Sequence, residues 1–146
     1  QGAPMPPAPS MMFFCYKPVC LYNAMIHPLK NLGFRGVLWY QGESNVDRRH
    51  EYAELLTRMI GCWRKTFDDS SLPFYIVELA DFLHKDDVRG RQSWAEMRLQ
   101  QAKAVEMNAN TRLIPNSDLG EWNDIHPLDK KTLGKRAAEA TLKDMK

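Results

Sequence analysis

Two hydrophobic periods alternate along the chain. Gly36-Val37-Leu38-Trp39-Tyr40 is a short apolar run that follows Gly33 and precedes Gly42. Such a run predicts a strand buried on both faces, the kind found in parallel sheets. The period then lengthens. Tyr52, Leu55, Leu56, Met59, Ile60 and Trp63 recur at the spacing of one helical face and predict a helix over 48–66. Phe74-Tyr75-Ile76-Val77-Glu78-Leu79, introduced by Pro73, predicts a second strand. A second helix is expected next: Ser93 with Glu96 fits a capping box, and Ala95, Leu99 and Ala102 share a face. Arg112-Leu113-Ile114 predicts a short third strand, and a last helix is expected over 129–144 with Asp129 as its N-cap.

The resulting order, β-α-β-α-β-α, defines an α/β fold with parallel pairing and right-handed crossovers. Ligands of such sheets bind beyond the carboxyl ends of the strands. Those ends carry Gln41-Gly42-Glu43-Ser44-Asn45, then Ala80-Asp81-Phe82, then the loop 115–128. Three strands make a thin sheet for this architecture, so part of it is expected to lie outside this chain. Residues 1–20 read differently. Pro4, Pro6, Pro7, Pro9 and Pro18 remove backbone donors and restrict φ, which predicts an irregular arm ahead of the regular region 21–146.

Composition narrows the classes. At 146 residues the chain is one domain or less. Its 44% apolar and 26% charged residues are ordinary for a globular protein and exclude a disordered chain. No stretch approaches the ~18 apolar residues of a membrane span. The net charge of +2, from 20 basic and 18 acidic residues, argues against a dedicated nucleic-acid binder. The first residue is Gln1, which suggests a trimmed or excised sequence. Cys15, Cys20 and Cys62 are odd in number and cannot all pair within the chain. Free thiols are the favoured reading, with a Cys15–Cys20 pair as the alternative. The run from Met11 to Cys15 is too short for a signal-peptide core and has no basic region before it.

Two clusters could carry chemistry. The first strand runs into Gln41, Glu43, Ser44 and Asn45, with Gly42 allowing close backbone approach to a ligand. The same residues also suit an ordinary turn in which Ser44 or Asn45 caps the next helix. The second cluster is Asn123-Asp124-Ile125-His126-Pro127. A histidine in the third strand-to-helix loop can reach the same sheet edge, and an adjacent aspartate could orient its imidazole; a plain surface loop is the competing reading. Trp122 could stack on a sugar or simply pack. His27 reads as a turn residue and His50 as solvated on a polar helix face. His84 with Asp86 and Asp87 reads as a solvated loop, because no second convergent ligand pattern accompanies it. A glycine-rich phosphate loop, a zinc spacing and a Gly-x-Ser-x-Gly elbow are all absent from the sequence.

Asn23-Ala24-Met25-Ile26-His27-Pro28-Leu29, then Gly36 to Asn45, then Asp124-Ile125-His126-Pro127 together resemble the sialate O-acetylesterases, a branch of the SGNH-type serine esterases. The resemblance covers about residues 21–146. It implies a three-layer α/β/α sandwich with a parallel sheet, SGNH hydrolase or flavodoxin-like. It implies cleavage of O-acetyl esters from sialic acid or a related acetylated glycan, with a serine nucleophile and a histidine base and without metal or organic cofactor. His126 corresponds to the base. Asp124 is its candidate orienter and Glu43 a second one, because SGNH enzymes often place that aspartate three residues before the histidine, where this chain has Asn123. Gln41, Gly42 and Glu43 correspond to the oxyanion and substrate-binding block.

The family's nucleophile block, Gly-Gln-Ser-Asn, is absent, and Ser44 in Gly42-Glu43-Ser44-Asn45 resembles it only superficially. The resemblance therefore implies the C-terminal part of a catalytic domain, with the nucleophile upstream and the isolated chain inactive. The strand at 36–40 would then have an unpaired edge, favouring self-association or pairing with the missing N-terminal part. Secretion or a periplasmic location is the family expectation. Two rivals are an esterase of acetylated xylan or another glycan, and a non-catalytic carbohydrate-binding module with Trp39, Tyr40 and Trp122 as its platform.

Overall fold

A computed structural model describes residues 17–144. Cys15 and most of the expected proline-rich arm lie outside the described residues. The chain divides between Gly33 and Phe34 into two compact units. In the first, a π-helix at Tyr22–Ile26 leads into a 3-10 turn at His27–Leu29. Pro28 fits the start of that turn, where its missing N–H is not needed. His27 thus occupies the turn expected of it. Cys20 and Cys62 are free thiols.

The second unit holds β1 (Val37–Trp39), α1 (Tyr52–Thr66), β2 (Phe74–Val77), α2 (Val88–Glu106), β3 (Thr111–Ile114) and α3 (Lys130–Asp144). The strands pair in parallel in the order β1-β2-β3, with Val37 opposite Phe74 and Phe74 opposite Thr111. Both crossovers advance across the sheet in the same direction. Crossovers of one hand then bring α1 and α2 to one face. Side chains alternate accordingly: Phe74 and Ile76 pack with Leu56, Ile60, Trp94 and Met97, while Tyr75 and Val77 pack with Ile114 and Leu133 of α3. The result is the expected α/β/α layering. β2 is buried at every position, as a central strand flanked by helices should be.

β1 corrects the sequence reading. Leu38 is 56% exposed, so this strand is not buried on both faces. It is an edge strand whose outer side has no partner among the described residues. An apolar run records what a strand can bury, not whether anything covers it.

The helices also depart in detail. The predicted 48–66 helix is two pieces: a 3-10 helix at Glu43–Glu51, kinked at Arg48, and then α1. On α1 the predicted face is broadly right, with Tyr52, Leu56 and Ile60 buried, but Leu55 is exposed. The capping box at Ser93 and Glu96 does not form. The N-cap of α2 lies six residues earlier, at Asp87, whose side chain accepts the Gly90 N–H at 2.9 Å. Glu96 instead takes the Arg49 guanidinium at 2.5 Å. The buried face of α2 is Trp94, Met97, Gln101 and Ala104, not the face of Ala95, Leu99 and Ala102. A buried glutamine on that stripe hides it from hydrophobic periodicity. Asp129 does cap α3, accepting the Thr132 N–H at 2.9 Å.

Candidate active site at the carboxyl edge of the sheet

The backbone leaving β1 is clamped by two side chains. The Tyr52 hydroxyl donates to the Gln41 carbonyl oxygen at 2.8 Å, and Gln101 Nε2 donates to the same oxygen at 3.3 Å. Trp39 Nε1 donates to the Tyr52 oxygen at 3.2 Å, completing the chain of bonds. Burial pushes the Tyr52 hydroxyl above its ordinary pKa, and the nearby Glu43 carboxylate adds to that shift. Tyr52 therefore stays protonated as a donor through the neutral range. Gln101 is fully buried. It also donates to Val77 O at 3.1 Å and accepts from Leu79 N at 2.9 Å, replacing ladder bonds where β2 ends.

This clamp sets up the turn that follows. Gly42 has φ +155°, and a Cβ there would stand 2.9 Å from Met97 Cε. Only glycine suits that conformation in that space. The next residues enter the 3-10 helix with Gly42 at its N-cap and no side-chain cap. Neither Ser44 nor Asn45 caps it: Asn45 Oδ1 instead accepts Gln41 Nε2 at 2.8 Å. One of the two Gln41 side-chain N–H groups is thereby engaged. The backbone N–H groups of Glu43 and Ser44 open the helix with no internal acceptor, as first-turn groups do. Glu43 is half-buried and Ser44 exposed.

The ends of β2 and β3 are tied together beside it. The Glu78 carboxylate accepts the Asn116 and Ser117 N–H groups, each at 3.1 Å. Buried Asn116 donates to Glu78 O at 3.0 Å and to the Tyr40 hydroxyl at 3.2 Å. Asp81 takes Arg91 at 2.9 Å and Arg98 at 3.5 Å. Gly120 is pressed on the Asp81 backbone so closely that a Cβ would lie 2.0 Å from its carbonyl oxygen. Leu83 has φ +80°, a strained value for a bulky residue. It is held there by donating its N–H to Trp122 O at 3.1 Å and accepting Arg91 Nη1 at 3.0 Å.

The loop beyond Gly120 carries the second predicted cluster. A bridge between Glu121 and Asp124 closes a tight turn. Asp124 Oδ1 accepts the backbone N–H of His126 at 2.7 Å, and His126 Nδ1 lies 3.7 Å from the same oxygen. The pair sits at ion-pair range without a ring hydrogen bond, and the His126 side chain is 87% exposed. Among the described residues no hydrogen bond or ion pair joins His126 to Gln41, Gly42 or Glu43. The two predicted clusters thus occupy the same edge of the sheet as separate groups. A cavity of about 600 Å³ opens there, lined in part by Glu43, Ser44, Leu83, Arg89, Ser93 and Trp94.

The remaining candidates fall into place. Trp39 stacks edge-on with Trp63 at 5.8 Å, and Tyr40 lies under Lys130 Nζ at 5.0 Å. Both are engaged internally, which leaves Trp122 as the exposed member of the proposed sugar platform. His50 is exposed on the 3-10 helix. His84 pairs with Asp86 at 3.1 Å in an exposed loop. Among the described residues no three His, Cys, Asp or Glu side chains converge as metal ligands. Sequence reasoning missed Tyr52 and Gln101 as supports of the 41–42 backbone, because a tyrosine at a core position reads as packing. Gln101 gave one signal: a lone amide at helical spacing from Trp94 and Met97.

A parallel sheet between helices, with polar loops gathered at its carboxyl edge, is an α/β/α sandwich of the SGNH hydrolase-like type. A family model described as carbohydrate esterase, sialic acid-specific acetylesterase, matches residues 13–143, and the chain belongs to that family. It is 35% identical to sialate O-acetylesterase of Mus musculus, over 80% of this chain and 24% of that protein. It is 34% identical to sialate O-acetylesterase of Homo sapiens, over 80% of this chain and 25% of that protein. A crystal structure of a carbohydrate acetylesterase from Xanthomonas citri matches with a TM-score of 0.74 and 40% identity, over 82% of this chain and 28% of that chain. The chain spans about a quarter of the length of the curated relatives it matches.

Proposed function

We propose that these residues form the base-and-oxyanion part of a serine esterase that removes O-acetyl groups from sialic acid. The nucleophile serine lies upstream, outside this sequence, and the isolated chain is inactive. The observation that carries the reading is the clamped Gln41–Gly42 turn, after which the N–H groups of Glu43 and Ser44 open the 3-10 helix without an intrahelical acceptor. Donors fixed in this way suit an oxyanion.

In this reading His126 Nε2 takes the proton of the upstream serine as its oxygen attacks the acetyl carbonyl. The oxyanion meets the N–H groups at 43–44. The protonated His126 then gives its proton to the departing sugar oxygen, and water releases acetate by the same steps. Asp124 orients the imidazole by turning from the His126 N–H toward Nδ1, and Glu43 is the alternative orienter. Gln41 acts through its clamped carbonyl, which fixes the turn that follows.

Family membership and the names of the relatives support an acetylated sugar as substrate. Acetylated xylan would use the same residues, and acetate release from each substrate by the complete protein separates the two. The open edge of β1 and exposed Leu38 support pairing with an upstream segment or self-association. A strictly monomeric, well-folded chain in sedimentation would count against it. No helix among the described residues is long and apolar enough to cross a membrane. Export to the periplasm or medium belongs to the same proposal, and fractionation tests it.

The role of His126 is tested by His126→Ala in the complete protein. kcat on an O-acetyl sugar should fall about a thousandfold or more with KM little changed. Retained turnover would remove His126 from the mechanism.

A further inference from the structure

The geometry points to Trp122 as a preformed stacking platform for the acetylated sugar, and we propose that it, rather than the base itself, selects the glycosyl part of the substrate. The inference rests on the esterase reading and adds the residue that recognises the sugar. Four observations meet at this residue. Trp122 is 59% exposed and so offers a broad aromatic surface to solvent. It is nevertheless fixed. Its carbonyl accepts the N–H of Leu83, the residue held at φ +80°, and its ring meets the His84 ring at 5.1 Å and 75°. A ring held from one side keeps broad apolar area free.

Its position is the third observation. Leu83 lines the cavity that also contains Glu43 and Ser44, and the bond from its N–H to the Trp122 carbonyl joins the Trp122 loop to the loop that borders that cavity. The fourth is its place in the chain: four residues before His126, within the turn closed by the Glu121–Asp124 bridge. A sugar whose C–H face or acetamido methyl lies on the indole keeps its exocyclic esters near the loop that carries the base. Aromatic rings serve this purpose because they offer wide contact area with little entropy to lose. Strain at Leu83 fits the same role, since strained backbone persists where the surroundings enforce a functional geometry.

The test is an indole N–H titration of the uniformly ¹⁵N-labelled chain with 9-O-acetyl-N-acetylneuraminic acid. Trp39 and Trp94 have their indole N–H groups bonded to Tyr52 and Ala80, so their signals should stay in place. The Trp122 signal, identified by its loss in Trp122→Phe, should move on titration. Trp122→Ala should bind the sugar about three- to tenfold more weakly, with Trp122→Phe retaining most of the affinity. In the complete protein, Trp122→Ala should raise KM for the sugar acetate and lower kcat/KM for it more than for ethyl acetate, which has no ring to lie on the indole. An unmoved Trp122 signal, equal sugar affinity in Trp122→Ala, or equal losses on both esters would overturn the proposal. Sugar binding without acetate release by the complete protein would sink the esterase reading and leave the platform standing. Turnover with a silent Trp122 would do the reverse.

Discussion

The hydroxyl of Tyr52, the first residue of α1, donates to the carbonyl oxygen of Gln41 at 2.8 Å, joining the helix to the backbone that leaves β1. Because Trp39 Nε1 donates to the same hydroxyl, removing it leaves that indole N–H without its acceptor and leaves the Gln41 carbonyl with only the longer bond from Gln101. Tyr52→Phe is expected to lower stability by about 1–3 kcal/mol, measured by urea denaturation. In the complete esterase it should lower kcat more than it raises KM, since the turn at 42–44 would lose its support.

The same tyrosine fixes an alkaline limit. Its folded pKa is raised, first by burial. The stability it contributes is fully present below the unfolded value of about 10 and is lost as pH rises through the folded value. Denaturant midpoints should therefore fall above about pH 10 in the wild type. The fall should be shallower in Tyr52→Phe. Equal slopes would show that the hydroxyl is not buried as described.

Two glycines should tolerate no side chain. Gly42→Ala forces a Cβ against Met97 at φ +155°, and Gly120→Ala drives one into the Asp81 backbone. Each is expected to cost about 1–3 kcal/mol or more. Gly61→Ala, on the exposed side of α1 with nothing within 4 Å, is the control and should be neutral or stabilising. A thermal melt of the three variants checks the ranking.

Gln101→Leu keeps the volume and removes the amide. Leu79 N, Val77 O and part of the Gln41 clamp lose their partner. A loss of at least about 2 kcal/mol is expected. A neutral result would show that the ends of β1 and β2 do not depend on it.

Acid should weaken the fold through specific pairs. Hydrogen bonds from Arg112 and Tyr75 hold Asp144 below the usual carboxylate range, and Arg136 does the same for Asp118. A depressed folded pKa contributes stability above the unfolded value of about 3.9 and loses it as pH falls through the folded value. Tm should therefore drop below about pH 4, and Asp144→Asn should make that drop shallower.

The sequence made the alternation of strands and helices legible because its periods differ: an apolar run at 74–77 and helical spacing at 52, 56 and 60 leave little choice. It also made Asp129 legible as a cap, since that role needs only a local side chain. Exposure of Leu38 was not legible, because it depends on what lies across the sheet. The face of α2 was misread because Gln101 and Arg98 interrupt its apolar stripe. At the site, residues 41–43 and 124–126 stood out as polar groups where strands end. The clamp by Tyr52 and Gln101 did not, since it joins positions eleven and sixty residues away from Gln41.

The central claim is that the base and oxyanion groups reside here while the nucleophile does not. Intact mass spectrometry after treatment with a serine-reactive fluorophosphonate tests it most directly. The 146-residue chain should keep its mass, and the complete protein carrying the upstream segment should gain one adduct under the same conditions. A single adduct on this chain, mapped to Ser44 or any other of its serines, would contradict the account.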